Sequence, residues 1–587
     1  MPSLVRARLP DYRGGAIRHL RVSLAALLSC ALVACAPGVH RTVDQPTRPP
    51  AVVSQPTAPP ETVVLPGGGA ARLSAQAALT FFDAAPLAVV ADPLSAVRGA
   101  SLAVDLGVPV LVAGDDPSAD VLEALDDLGT ETVLAVGEPG LPDGLDVVPA
   151  PQDVDELAAL VRSDLETSPV APGDEVRAVA GLEPGTLLVE DATGDAGTGD
   201  ATEDATGDAS NSGGSTDDPR SADSSDDAGG PADDARLPYS ERPEAVARDV
   251  VVMSTGAAAQ AAAAASARAA GAQVQVVPDG DPRASSETVQ ATAEHAPDVV
   301  AGLGSSFGDA ETLAWRTATA ATGTELPGGG QLILPGRTYV AIYGSPGTGA
   351  LGVLGEQDTA ETVRRAAEHA EPFRRLTDTQ VVPTLEIIAT VATRGAGPDG
   401  DYSNELPLER LRPLVDAAAE NGQWVVLDLQ PGRADFLSQA KRYEELLREP
   451  HVGLALDPEW RLGPDEEPMQ RIGHVDVGEV DQVVTWLADL TREERLPQKM
   501  LVLHQFRTDM IPGVDRLDTS RDEVAVLLHA DGQGTQGDKL DTWRSVRANA
   551  PSLQWWGWKN FYDEDSPMLG PTETMAVEPT PNYVSYQ

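Results

Sequence analysis

Between residues 86 and 138 the chain reads PLAVVAD, then SAVRGASLAVDLG, VPVLVAG, ADVLEALDDLG and TETVLAVGE. Short apolar runs of strand length alternate with segments whose apolar residues recur every three to four positions. That order excludes most folds, because consecutive parallel strands need a crossover and a helix supplies it. The pattern returns further on as DVVVMST, AAAQAAAAASARAAGA, QVQVVPD and PDVVAGLG. Residues 102–117 and 266–282 align as a degenerate strand–helix–strand repeat. The chain is therefore expected to be α/β, with one repeat-like, Rossmann-like parallel-sheet module built twice over residues 63–330.

From about residue 337 the alternation lengthens. TYVAIYG, QVVPTLEIIATV, QWVVLDLQ, HVGLALDP, KMLVLHQF, EVAVLLHAD and LQWWGWKNF are separated by longer segments, among them the helical AETVRRAAEHAEPFRRL and DFLSQAKRYEELLRE. Seven strands over about 250 residues predict a C-terminal (β/α)8 TIM-like barrel across 335–587. The eighth strand is open: either QLILPG ahead of the first, or a degraded element after the last.

Two segments cannot contribute to a core. Residues 36–62 are rich in Pro and Thr and read as an extended stalk. Residues 191–236 carry 13 acidic residues and two arginines with little that is apolar, as expected of a disordered, self-repelling insert. The whole chain has a net charge of −49, which argues against nucleic acid as a partner, since a polyphosphate is bound by a basic surface.

The first 35 residues read as an export leader. Arg6, Arg8, Arg13, Arg18 and Arg21 precede an apolar segment, 22–33, that is too short to span a bilayer. Leu32-Val33-Ala34-Cys35 resembles the lipobox of bacterial lipoproteins, and that resemblance implies a mature protein starting at a diacylated Cys35. Cys30 and Cys35 are the only cysteines, so such a protein has no disulfide. Two acyl chains suffice for stable attachment. The expected location is extracytoplasmic, lipid-anchored to the outer face of the cell membrane.

Residues 71–137 resemble the type 2 cell-wall-binding repeat of Gram-positive surface proteins, the corresponding pieces being LAVVADPLSAV, LGVPVLVAG and TVLAVG. The family's arginine-rich opening and its paired glycine after the third strand are not retained. Gly114, Gly137 and Gly302 belong to no G-x-G-x-x-G, so they read as strand-to-helix turns and no cofactor is expected.

On a barrel, chemistry belongs to the C-terminal ends of the strands, and polar residues collect there. Glu386 lies within the second strand, Asp428 ends the third, Asp457 and Glu459 end the fourth, His504 the fifth, and His529 and Asp531 the sixth; Lys559 follows the seventh. Strand alternation would turn Asp457 and Glu459 to one face, and His529 with Asp531 likewise. Glycoside hydrolysis needs two carboxyl groups at the scissile bond. ALDPE resembles the Asp-x-Glu of lysozyme-like muramidases and, more loosely, of chitinase-like barrels, which implies Glu459 as proton donor and Asp457 as its electrostatic partner. The muramidases' aspartate at the end of the first strand has no counterpart in YGSPGTG.

Two other readings of the pair stay open: a ligand or metal role, with His504, His529 and Asp531 as further ligands, or a hydrated, salt-bridged strand end. Seven of eight tryptophans follow residue 420; Trp460 and Trp558, beside Glu459 and Lys559, are candidate sugar platforms. Glu386, Asp428, Trp460, His504, His529, Asp531, Trp558 and Lys559 are thus expected to bind substrate, with no metal assigned. The expected activity is binding or hydrolysis of a cell-wall or extracellular polysaccharide at the envelope; the alternative is a non-enzymatic surface scaffold with a degenerate barrel.

Overall fold

The computed structural model describes residues 51–191 and 236–587. The leader, the lipobox with Cys35, the first part of the stalk and residues 192–235 of the acidic segment lie outside the described residues.

In the N-terminal part, Leu87–Ala91, Val110–Val112, Thr132–Val136 and Asp146–Pro149 form one parallel sheet, and Val250–Ser254, Gln273–Val276, Val299–Leu303 and Val63–Leu65 form another. Both place the first strand of a strand–helix–strand unit centrally, the second on one flank and the third on the other. The fourth position differs: Asp146–Pro149 continues the first unit in sequence, whereas the second borrows Val63–Leu65 from far upstream. The repeat is therefore legible in strand order as well as in sequence. A parallel pair, Glu166–Val170 with Thr186–Glu190, forms a third, smaller sheet.

Helices Ala70–Phe81, Ala96–Leu106 and Ala261–Ala269 share one hydrophobic core with these sheets. Ala261 through Ala267 are buried, and alanine lets the helix approach its neighbours closely. Each of the three helices carries one buried serine that accepts a strand amide. Ser74 Oγ takes Val112 N at 3.0 Å, Ser101 Oγ takes Leu188 N at 2.9 Å, and Ser266 Oγ takes Val110 N at 3.0 Å. Unmade, each bond would leave a buried N–H at a cost of about 1–3 kcal/mol.

The C-terminal part is a closed eight-stranded parallel barrel. Its strands in chain order are Arg337–Gly344, Gln380–Ala392, Trp424–Leu429, Val452–Leu456, Lys499–Gln505, Val524–Ala530, Trp556–Asn560 and Tyr583–Tyr586, and the first pairs with both the second and the eighth. The eighth strand is YVSY, after the last of the seven legible ones; 331–336 adds no strand. Six of the seven connections contain α-helix. The connection between the fifth and sixth strands has only the 3-10 turn Val514–Arg516, a departure from the regular (β/α)8 expectation.

Alternation sorts the barrel residues into two sets. Leu385, Ile387, Val425, Leu427, Leu454, Leu501, Leu503, Val526 and Leu528 pack outward against the helices. Tyr339, Val382, Trp424, Val426, Ala455, Met500, Val502, Leu527 and Tyr583 fill the interior. The interior is thus closed by an apolar plug toward the strands' N-terminal ends. On the inward parity the residues above that plug are Tyr343, Glu386, Asp428, Asp457, His504, His529 and Lys559.

The N-terminal part docks on the opposite end of the barrel. Arg283, wholly buried, donates to Asp281 (2.7 and 3.0 Å) and to Asp522 (2.5 Å), which lies just before the sixth strand. Arg316 Nε also donates to Asp522 at 2.8 Å, and the guanidinium groups of Arg283 and Arg492 stack on the Trp315 ring at 4.5 and 4.7 Å. This docking leaves the C-terminal mouth uncovered.

Candidate functional site

At that mouth lies a cavity of about 280 Å³ lined by residues from all eight strand ends or the loops that follow, among them Tyr343, Asp457, Glu459, Trp460, Phe506, Asp531, Lys559 and Glu564. Beneath it the inward polar residues form one hydrogen-bonded layer. His504 is its centre, fully buried: Nε2 donates to Glu386 Oε1 at 2.7 Å and Nδ1 to Asp531 Oδ2 at 3.0 Å. The Tyr583 hydroxyl donates to the other oxygen of Glu386 at 2.9 Å, and the Tyr343 hydroxyl to Asp428 Oδ2 at 2.8 Å. His529 stacks edge-on to His504 at 4.8 Å and shares a hydrogen bond with Ser585 Oγ at 3.1 Å. Gly557 makes room for it, since a Cβ there would sit 2.5 Å from His529 Cδ2.

Burial alone would strip the proton from His504, but the carboxylates of Glu386 and Asp531 outweigh it and hold the imidazole well above its usual range. Burial would likewise raise Glu386, yet the same imidazolium keeps its carboxyl down at about 2. Asp531 is also lowered, the hydrogen bond from His504 overriding its burial. His529, desolvated next to that cation, is pushed down to about 3 and is neutral.

The remaining acids move the other way. Burial, with the Glu386 charge adding to it against His504, pushes Asp428 up to about 6. Burial and the neighbouring Asp428 raise Asp457 well above the carboxylate range. Burial and the Asp531 charge bring Glu459 to about 7. One mouth thus holds carboxyl groups driven apart into ionised and protonated sets, the arrangement that assigns acid and base roles.

One sequence expectation changes in mechanism. The fourth strand ends at Leu456, and Asp457 caps a 3-10 turn, Pro458–Trp460, its Oδ1 accepting the Glu459 amide at 3.2 Å. Asp457, one residue past the strand's end, keeps its inward parity, whereas Glu459 reaches the cavity wall because the chain turns there.

Trp558 does not face the cavity. It alternates with Lys559, so when the lysine turns inward the indole must turn outward, where it packs on Trp543 at 5.6 Å. Trp460, by contrast, stands half-buried on the cavity wall. Lys559 is not paired with the acids that follow it. Its ammonium lies 3.7 Å from the Tyr343 ring centre, and Asp565 pairs instead with Lys539 at 3.0 Å.

Glu386, His504 and His529 bring ligand atoms within 4.8 Å of one another. Both ring nitrogens of His504 face carboxylate oxygens, those of Glu386 and Asp531. Tyr343, Tyr583 and Ser585 were not singled out in the sequence. Their inward parity relative to Tyr339 was the available signal for Tyr343, but the other two lie on the strand that sequence patterning left unassigned.

No protein-family model matches the sequence, and no curated protein is similar to it. Among solved structures the chain is similar to Cwp6 from Clostridium difficile, with 13% sequence identity and a TM-score of 0.28 over 63% of this chain and 63% of that one.

Proposed function

We propose that this protein is a lipid-anchored envelope protein whose barrel binds and hydrolyses a cell-wall or extracellular glycan, with Glu459 as the proton donor. The observation that carries the reading is the divided set of carboxyl groups at the open cavity: Glu459, raised to about 7, lies in the same cavity wall as the ionised Asp531. A carboxyl near neutrality both holds and releases its proton, as protonation of a glycosidic oxygen requires. Trp460 and Phe506 offer ring faces of the kind on which sugar rings stack. Arg461, two residues on, is bonded to Glu479 at 3.0 Å rather than to Glu459, and the charges of Lys559 and His504 only partly offset the burial of the acid.

The surface location rests on the leader and the lipobox-like Leu32-Val33-Ala34-Cys35. No helix among the described residues is long and apolar enough to cross a membrane, so attachment by acyl chains on Cys35 is the route this reading uses. The Pro/Thr-rich stalk then separates the domains from the bilayer, and the repeat-like N-terminal part serves as a second contact with the wall.

The test is incubation of the full chain with cell-wall sacculi and a panel of soluble polysaccharides, reading released reducing ends and protein retained on the sacculi. Hydrolysis predicts release from at least one glycan. Retention with no release from any of them would replace this reading with the scaffold.

A further inference from the structure

Asp531 has one oxygen in use and one idle. Oδ2 is fixed by His504 Nδ1 at 3.0 Å, while Oδ1 is buried with no hydrogen-bond partner, in a residue that lines the cavity and is 8% exposed. An unmet acceptor in that position costs free energy unless a ligand meets it. His504 cannot swing away, because Glu386 holds its other nitrogen and Tyr583 holds Glu386. The Tyr583–Glu386–His504 chain therefore fixes Asp531 in the cavity wall with one carboxylate oxygen unpartnered.

We propose that Asp531, rather than Asp457, is the nucleophile that works with Glu459. The inference rests on the hydrolase reading. The Oδ1 electron pair bonds to the anomeric carbon as the glycosidic C–O bond breaks, and the leaving oxygen keeps that bond's electrons and takes the Glu459 proton. Water then attacks the same carbon, Glu459 as carboxylate accepts a proton from it, and the ester bond to Asp531 breaks. The two displacements retain anomeric configuration and regenerate both carboxyl groups. A carboxylate stabilised by an adjoining imidazolium is a poor proton acceptor but a good leaving group, which suits it to this role rather than to that of general base. Asp457, whose Oδ1 accepts the Glu459 amide, shapes the turn that carries the acid. Glu386, His504 and Tyr583 act as positioning residues.

The test uses the glycan that the wild-type full chain degrades, with Asp531→Ala, Asp531→Asn and Asp457→Asn assayed alongside it and their thermal unfolding measured. Expected are retained configuration in the wild-type product and a loss of about a thousandfold or more in both Asp531 variants. Added azide should restore turnover in Asp531→Ala by taking the vacated place and yielding a glycosyl azide, whereas Asp457→Asn, slowed through the turn that carries Glu459, should still give product of retained configuration. Asp531→Asn preserves an acceptor for His504, so a folded but inactive variant separates chemistry from packing. Inverted product from the wild type, activity within tenfold in folded Asp531→Asn, or no glycosyl azide from folded Asp531→Ala would overturn the assignment while leaving hydrolysis intact. Absence of any wild-type hydrolysis would instead remove the reading beneath it.

Discussion

Glu459 sits where a one-residue change in path matters: the strand stops at Leu456, and the turn capped by Asp457 carries the glutamate into the cavity wall. Its carboxyl, raised to about 7 by burial and the Asp531 charge, gives two pH predictions. As the acid it must be protonated, so kcat/KM should fall as pH rises through about 7, while the acid limb should lie below the usual carboxylate range because Asp531 is lowered. In Glu459→Gln the upper limb should disappear along with most of the activity. The second prediction concerns stability. A carboxyl raised on folding binds its proton more tightly folded than unfolded, so its contribution is complete below the unfolded value near about 4.3 and is lost as pH rises to about 7. Melting temperature against pH should show this decline in the wild type and a shallower one in Glu459→Gln.

Within an element the deciding rule is the two-residue period. It turns Glu386, Asp428, His504, His529 and Lys559 inward, and it sends Trp558 outward. Trp558→Ala should therefore destabilise the barrel by about 3–5 kcal/mol, as expected for a buried aromatic, while leaving KM for the glycan unchanged; a raised KM with unchanged stability would put the indole back among the binding residues. Gly557→Ala should cost about 1–3 kcal/mol through the clash with His529.

Most of the inward layer was legible, because acids and histidines interrupt apolar runs whose parity is readable. Two things were not. The eighth strand, YVSY, is too short and too polar at Ser585 to stand out, so Tyr583 and its bond to Glu386 stayed hidden. The electrostatics of the acid pair were hidden too, since the raised carboxyl of Asp457 follows from its burial and from Asp428, far away in the chain and adjacent only once the third and fourth strands pair. The borrowed strand Val63–Leu65 escaped for the same reason: pattern marks a strand, but not the distant sheet that takes it.

Across the whole molecule, the Arg283–Asp281–Asp522 cluster ties the repeat-like part to the closed end of the barrel. Asp522→Ala leaves buried Arg283 with one carboxylate instead of two, and removing a charged hydrogen-bond partner of this kind costs about 1.5–3 kcal/mol. Denaturant unfolding should show that loss, with glycan hydrolysis at 25 °C unchanged because the cluster lies at the other end of the strands. Under the proposed function, that separation would leave the cavity free to meet a polymer while the other domain contacts the wall. The most direct measurement is the release of reducing ends from sacculi by the full chain beside folded Glu459→Gln at equal concentration. The account predicts release by the wild type and a loss of at least a hundredfold in the variant; equal release by both, or by neither, would contradict it.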